Sequence, residues 1–85
     1  MEKYKIEIKK SAFKELNKIS FKDLKKVLKK IQDLSITPRP QGCIKLTNQE
    51  NYRIRVGNYR ILYSIEDDIL TIYVVKIGHR KNIYR

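Results

Sequence analysis

The sequence predicts an α+β domain: a strand, an antiparallel pair of helices, and then three or four antiparallel strands in a twisted sheet with the helices packed on one face. Three observations predict this class. A short alternating apolar pattern opens the chain, two helical patterns follow, and further alternating stretches complete it. Helix and strand patterns segregated in this way are typical of α+β folds. We expect residues 1–85 to form a single domain, because a chain of 85 residues has room for one core.

The first strand and the first helix come from the N-terminal segment. Tyr4, Ile6 and Ile8 alternate with charged residues, which predicts a strand with one buried face. Ser11 is a candidate N-cap for the first helix. The apolar positions of that helix are Ala12, Phe13, Leu16 and Ile19.

A second helix is predicted to begin near Phe21. Ser20 and Asp23 have the spacing of a capping box, and Pro38 prevents the helix from continuing. Its apolar positions recur at helical spacing: Leu24, Val27, Leu28, Ile31 and Leu34.

A β-hairpin centred on Gly57-Asn58 is predicted in the second half. Residues 52–63 alternate with a period of two on both sides of that dipeptide, and a two-residue turn would place Arg55 opposite Arg60. Because like charges opposed across two strands are destabilising, we expect this cluster to bind something negatively charged. A shift of one residue would put Arg60 in the core. In the predicted register, Arg53, Arg55 and Arg60 share one face, and the other carries Tyr52, Ile54, Val56, Tyr59, Ile61 and Tyr63.

Two further strands flank the hairpin. Ile44 to Leu46 form a short one, and the β-branched stretch from Ile69 to Ile77 forms the last one. If Asp67-Asp68 is a two-residue turn, Leu70, Ile72 and Val74 join the core face, and Thr71, Tyr73, Val75 and Ile77 fall on the arginine face.

The charge distribution indicates which half of the chain recognises a partner. The chain has 20 Lys and Arg against 9 Asp and Glu, a net charge of +11, which favours nucleic acid, an anionic membrane or an acidic protein as partner. All six arginines follow residue 38, whereas eleven of the fourteen lysines precede residue 31. Because the arginine fork matches phosphate oxygens in bidentate fashion, the arginine half is the predicted recognition surface.

The cysteine content and hydropathy favour a cytoplasmic protein. Cys43 is the sole cysteine, so the sequence predicts no disulfide framework and fits a reducing compartment. Residues 1–10 contain no apolar run of the kind found in signal peptides, and no stretch has the length of a membrane span. We therefore expect no membrane partner.

Two motifs resemble a known family. The order of elements, the stretch YRIRVGNYRILYSI and the terminal VVKIGHRKNIYR are similar to the RelE/ParE superfamily of bacterial and archaeal toxins, a match in motif over about Ile44 to Arg85. The resemblance implies a RelE-like fold. In the RelE branch it implies a small basic toxin that cuts mRNA in the ribosomal A site, contacts ribosomal RNA, and forms a hetero-oligomer with its cognate antitoxin. Toxins of the ParE branch share the fold and act on DNA gyrase.

The resemblance also implies site residues. The catalytic residues carried over by motif are Arg60, Arg80 and Tyr84, and we add His79, which directly precedes Arg80. The predicted RNA contacts are Arg53, Arg55, Tyr73, Lys45, Lys81 and Arg85. Three departures stand out: arginines replace the lysines common on the middle strand, the gap from Arg80 to Tyr84 is short, and only Glu50, before the strand, approximates the glutamate base of some relatives.

The implied chemistry is attack of an RNA 2′-hydroxyl on the adjacent phosphorus, which requires a base, an acid and cations around the transition state. The arginines are predicted to clamp the phosphate. His79 is predicted to transfer protons, because its reference pKa of about 6.5 lies near neutrality. Tyr84 or Tyr73 would stack on a base or share in proton transfer. One histidine and no acidic cluster at ligand spacing predict no metal, and we expect no cofactor.

Three functions remain open at this point. The first is a ribosome-dependent mRNA endonuclease, and the second is a gyrase inhibitor of the ParE type without nuclease activity. The third is a general RNA-binding module, whose affinity would fall with salt at a log–log slope of about −2 to −3 for three or four phosphate contacts.

Overall fold

A computed structural model describes residues 3–46 and 51–79, which form two helices and one five-stranded sheet. The helices are α1 (Lys10–Leu16) and α2 (Phe21–Ile36), and the strands are β1 (Lys5–Ile8), β2 (Ile44–Lys45), β3 (Asn51–Val56), β4 (Tyr59–Glu66) and β5 (Thr71–His79). The strand order is β1-β5-β4-β3-β2. β1 runs parallel to β5, and the other neighbours are antiparallel. The predicted α+β class and element order are confirmed.

The core lies between the helices and one face of the sheet. Val27 and Leu34 of α2 are fully buried and belong to one cluster with Ile61, Tyr63 and Val74 of the sheet. Burying an apolar side chain of this size contributes about 1.5–3 kcal/mol relative to leaving it exposed. The helices therefore cover one face of the sheet, and we call the opposite face, which carries Arg53, Arg55 and Arg60, the open face.

The two helices begin differently. α2 begins after Ser20, whose Oγ accepts a hydrogen bond from the backbone N–H of Asp23 at 3.4 Å, which confirms the predicted cap. α1 begins at Lys10, after an N-cap at Lys9 that makes no side-chain capping bond, so the prediction that Ser11 caps this helix is wrong. Burial of apolar side chains positions this seven-residue helix instead. Phe13 and Leu28, predicted on buried stripes, are exposed.

The β3–β4 hairpin has the predicted register. Arg55 pairs with Arg60 and Val56 pairs with Tyr59 around the Gly57-Asn58 turn. Gly57 has a φ of +58°, and Asn58 does not have a positive φ, which is the pattern of a type II′ turn. A side chain at the first turn position would be strained in this conformation. The turn chemistry therefore sets the register, and the register puts three arginines on the open face.

The connection from β4 to β5 differs from the two-residue turn that was predicted at Asp67-Asp68. Residues Asp67–Ile69 form a turn of 3₁₀ helix, and Leu70 follows with a φ of +46°. Leu70 thus lies in the turn, and its carbonyl accepts a hydrogen bond from the Lys5 N–H at 2.7 Å. Ile72 and Val74 lie in the core as predicted.

A β-bulge in β5 overturns the predicted placement of the strand's second half. Tyr63 pairs with Val74, but the next residue of β4, Leu62, pairs with Lys76, so Val75 is an extra residue without a partner on β4. After the bulge, each residue of β5 lies on the opposite face of the sheet from the one that strict alternation would give it. Ile77, predicted on the arginine face, is fully buried opposite Ile61.

A polar network holds the segment after α2 against the sheet at the end remote from the Gly57-Asn58 turn. Arg39 Nη2 lies 2.9 Å from Asp67 Oδ2, and Arg39 Nε donates to the Tyr52 hydroxyl at 3.1 Å. The Tyr4 hydroxyl donates to Asp67 Oδ1 at 2.7 Å. The Arg39 guanidinium and the Tyr4 hydroxyl together hold the pKa of Asp67 below its ordinary value. Asp67 thus connects the α2–β2 segment to β1.

Buried Tyr63 also binds the segment between α2 and β2, at Pro38. Its hydroxyl donates to the carbonyl of Pro38 at 2.8 Å, and its ring stacks on that of Tyr52 with centroids 5.8 Å apart. Burial, with a smaller contribution from Cys43, raises the pKa of the Tyr63 hydroxyl, so it remains a donor across the physiological range.

The Asp67 network predicts a specific pH dependence. Because the folded-state pKa of Asp67 is depressed, its stabilisation is present above the unfolded pKa of about 3.9 and is lost as pH falls through the folded value. We expect Asp67→Asn to be less stable than wild type at pH 7 in urea unfolding, and the difference to disappear as pH falls through the folded-state pKa of Asp67. The control is Asp68→Asn. Equal stabilities of the two variants at pH 7 would contradict the role of Asp67.

Candidate nucleic-acid interface

Three arginines on adjacent strands form the electropositive centre of the open face. Arg53 and Arg55 alternate with buried Ile54 on β3, and Arg60 precedes buried Ile61 on β4, so all three side chains lie on the side away from the helices. Arg55 and Arg60 are directly opposed, as predicted. Arg55 Nε also donates to the carbonyl of Gly57 at 3.0 Å, which holds this guanidinium at the turn. The predicted placement of the arginines is confirmed.

Apolar and aromatic surface lies beside these cations. A row across four strands joins Ile44, Arg53, Leu62 and Lys76 through direct pairings. Ile44 is half exposed, and Tyr73, which pairs with Ser64, keeps 39% of its surface exposed on the same face. Tyr73 therefore lies on the open face as predicted. Guanidinium groups can bind the phosphates of single-stranded nucleic acid, and an exposed tyrosine ring can stack on its bases. The arginines and Tyr73 offer both on one face of the sheet.

Lys45 lies on the other side of the sheet from its predicted RNA-binding position. It pairs with Tyr52, whose ring stacks on buried Tyr63 on the helix-covered face. Its neighbour Ile44 pairs with Arg53 and takes the place on the open face. The strand register thus separates Lys45 from the arginines.

His79, predicted to act with the arginines in catalysis, also lies on the helix-covered face, on the other side of the sheet from Arg53, Arg55 and Arg60. It pairs with Tyr59, and the two rings meet edge to face with centroids 5.6 Å apart. It lines a groove with Tyr59 and with Glu15, Lys18 and Ile19 from the α1 side. The cause is the bulge at Val75, because strict alternation from Tyr73 would have placed His79 beside the arginines.

The remaining predicted site residues, Arg80, Lys81, Tyr84 and Arg85, lie outside the described residues, as does Glu50. Their roles stay predictions. Within residues 3–46 and 51–79, no group of three or more His, Cys, Asp or Glu side chains is arranged to hold a metal ion. No helix in these ranges combines the length and apolarity needed to cross a membrane.

Sequence reasoning missed two cations that the structure makes prominent. Lys76 lies on the open face, because the bulge moves it out of the core position that strict alternation assigns to it. Under strict alternation Lys76 would share the core face with Ile72 and Val74. A lysine at such a position is the sequence signal that could have revealed the bulge. Arg39 carries no local signal, because its partner Asp67 is 28 residues away in the sequence.

Comparison with known proteins places this geometry among toxins. Residues 6–84 match the sequence model of a family described as the ParE toxin of type II toxin–antitoxin systems. A curated relative, the putative toxin RelE1 of Methanocaldococcus jannaschii, is 30% identical over 87 residues that span 98% of this chain and 97% of the relative.

Solved structures share the fold over nearly the whole chain. The archaeal RelE–RelB complex from Pyrococcus horikoshii contains a chain with a TM-score of 0.84 and 27% identity, covering 94% of this chain and 98% of the other. The RelBE2 toxin–antitoxin complex from Mycobacterium tuberculosis gives a TM-score of 0.81 and 27% identity, with 92% and 99% covered.

The placement of His79 can be tested by its coupling to Tyr59. Edge-to-face ring pairs contribute about 0.5–1.5 kcal/mol beyond the area they bury. We expect a double-mutant cycle with His79→Ala and Tyr59→Leu to give a coupling energy of that size in urea unfolding. The matched cycle with Tyr73→Leu, on the opposite face, is expected to be additive. Coupling of His79 to Tyr73 and not to Tyr59 would contradict this placement.

Proposed function

This chain belongs to the RelE/ParE superfamily of toxins from type II toxin–antitoxin systems, and we propose that it acts as a RelE-branch endonuclease that cuts mRNA in the ribosomal A site. The observation that carries the proposal is the open face. Its arginines lie on the side of the sheet that the helices of the described chain leave uncovered. An extended mRNA segment, with one charge per nucleotide, matches such a surface in shape and charge.

The arginines supply the electrostatic part of the reaction. In the reaction the 2′-oxygen gives up its proton and forms a bond to the adjacent phosphorus, while the bond from that phosphorus to the 5′-oxygen breaks and the leaving 5′-oxygen takes up a proton. Negative charge collects on the phosphoryl oxygens in the transition state. Preorganised cationic donors stabilise this charge more strongly than that of the ground state. We assign the phosphate clamp to Arg60 and Arg80, with Arg53 and Arg55 binding the flanking backbone. The directly opposed Arg55 and Arg60 bring two guanidinium groups together on this face.

Proton transfer is assigned to the segment that follows β5. Tyr84 is the proposed acid-base or stacking group, with Lys81 and Arg85 as further contacts to RNA. His79 is left out of proton transfer, because its imidazole packs against Tyr59 on the other side of the sheet from the arginines. Tyr73 offers an exposed ring on the open face for stacking on a base.

The proposed partners follow from charge and from the relatives. A net charge of +11 favours ribosomal RNA as a partner. The two solved relatives are complexes of toxin and antitoxin. We propose that a cognate antitoxin binds this chain in a hetero-oligomer and inhibits it. The ribosomal target makes the cytoplasm its site of action.

The second candidate is a DNA gyrase inhibitor, which the match to the ParE family description favours. Such a toxin would need no phosphate clamp and no proton-transfer group. The two candidate functions can be distinguished by expressing the toxin in cells and measuring which stops first, protein synthesis or DNA synthesis. Loss of protein synthesis with cleaved mRNA supports the nuclease, and loss of DNA synthesis with intact mRNA supports the gyrase inhibitor.

The nuclease proposal is tested by a double substitution, Arg60→Ala with Arg80→Ala. Loss of single donors to a transition-state oxyanion lowers kcat by about 10²–10³-fold, so we expect at least that loss of cleavage of ribosome-bound mRNA. The control, Lys25→Ala with Lys26→Ala, removes the same charge from α2 and is expected to retain most cleavage. Binding of the cognate antitoxin reports that both variants are folded. Undiminished cleavage by the arginine variant would show that the proposed site is wrong.

A further inference from the structure

The bulge at Val75 determines which side chains of β5 reach the open face. Without the extra residue, Lys76 would pair with Ile61 and point into the core, where an unpaired ammonium group is strongly unfavourable. With the bulge, Lys76 pairs with Leu62 on the open face, and the next residue, Ile77, is fully buried. The extra residue thus puts Ile77 in the core in place of Lys76 and adds Lys76 as a fourth cation beside the three arginines.

The neighbours of Lys76 are the proposed RNA-binding arginines. Lys76 lies two strands from Arg53 in one row, roughly 10 Å between Cα atoms at ordinary strand spacing. It is also the diagonal neighbour of Arg60, which pairs with Gly78, at about 7–8 Å. Four long cationic side chains therefore surround one patch of the sheet.

Lys76 is exposed, and none of the ion pairs formed within residues 3–46 and 51–79 involves it. A fourth like charge close to three arginines is unfavourable for folding. The bulge nevertheless places it there, where a bound polyanion would offset the repulsion. Lys76 also lines the groove between α1 and β5 together with Lys9, Lys18 and Glu15, of which Lys18 and Glu15 form an ion pair with each other.

We propose that Lys76 binds a backbone phosphate of the RNA, next to the phosphate held by Arg60, and that the Val75 bulge exists to place it there. This inference rests on the proposed function of the open face. The role is one of binding and alignment, because the ammonium group lies to the side of the opposed Arg55 and Arg60 and adds a point charge without the geometry of an arginine fork.

The test measures binding of a single-stranded RNA oligonucleotide to Lys76→Gln over a range of salt concentrations. One phosphate contact contributes about 0.7 to the log–log salt slope. We expect the slope to fall by about that amount, with affinity at 0.15 M salt reduced about threefold to fivefold. Lys76→Arg is expected to bind like wild type. The control, Lys26→Gln, removes an equal charge from the outer face of α2 and is expected to keep the wild-type slope.

The outcomes separate this inference from the proposed function. If Lys76→Gln and Lys26→Gln have the same slope while Arg53→Ala with Arg60→Ala loses affinity, the role of Lys76 is refuted and the arginine surface stands. If Lys76→Gln lowers the slope while Arg60→Ala with Arg80→Ala still cleaves, the Lys76 contact stands and the assignment of Arg60 and Arg80 to the phosphate clamp fails. A raised KM with unchanged kcat for ribosome-bound mRNA supports a role in binding, and a fall in kcat alone contradicts it.

Discussion

The pairing of Arg55 with Arg60 across the Gly57-Asn58 turn is the constraint on which the rest of the structure depends. Side chains in a sheet alternate with a period of two, so one register decides which residues of both strands enter the core. Here it buries Ile61 and Tyr63 and turns the arginines outward. A slip of one residue would exchange the two faces. Apolar burial therefore stabilises an arrangement of like charges that the hairpin alone would disfavour.

The bulge at Val75 is the second determinant, and it divides β5 into two functional halves. Before it, Tyr73 reaches the open face under simple alternation. After it, Lys76 reaches that face, while His79 moves to the helix side against Tyr59. The same extra residue thus adds one cation to the proposed RNA surface and removes the only histidine from it. For this reason the proposed proton transfer is assigned to Tyr84 and not to His79.

Local sequence signals predicted the features that depend on local chemistry. The Gly57-Asn58 turn, the Ser20 cap and the apolar positions of β3 and β4 are confirmed, because turn geometry, capping and period-two burial act over a few residues. No glycine or turn residue marks the bulge, and its one signal, a lysine in phase with Ile72 and Val74, was not used. The errors for Ile77 and His79 follow from the bulge. The link from Arg39 to Asp67 is long-range, so no local pattern could have predicted it.

The central claim is that RNA binds the open face of the sheet. The most direct measurement is the change in backbone amide chemical shifts when a single-stranded RNA oligonucleotide is added to ¹⁵N-labelled protein. The account predicts that, among the residues described, the largest changes fall on Arg53, Arg60, Leu62 and Lys76, and that the exposed lysines of α2 change little. Largest changes along α2, with the open-face strands unaffected, would contradict it.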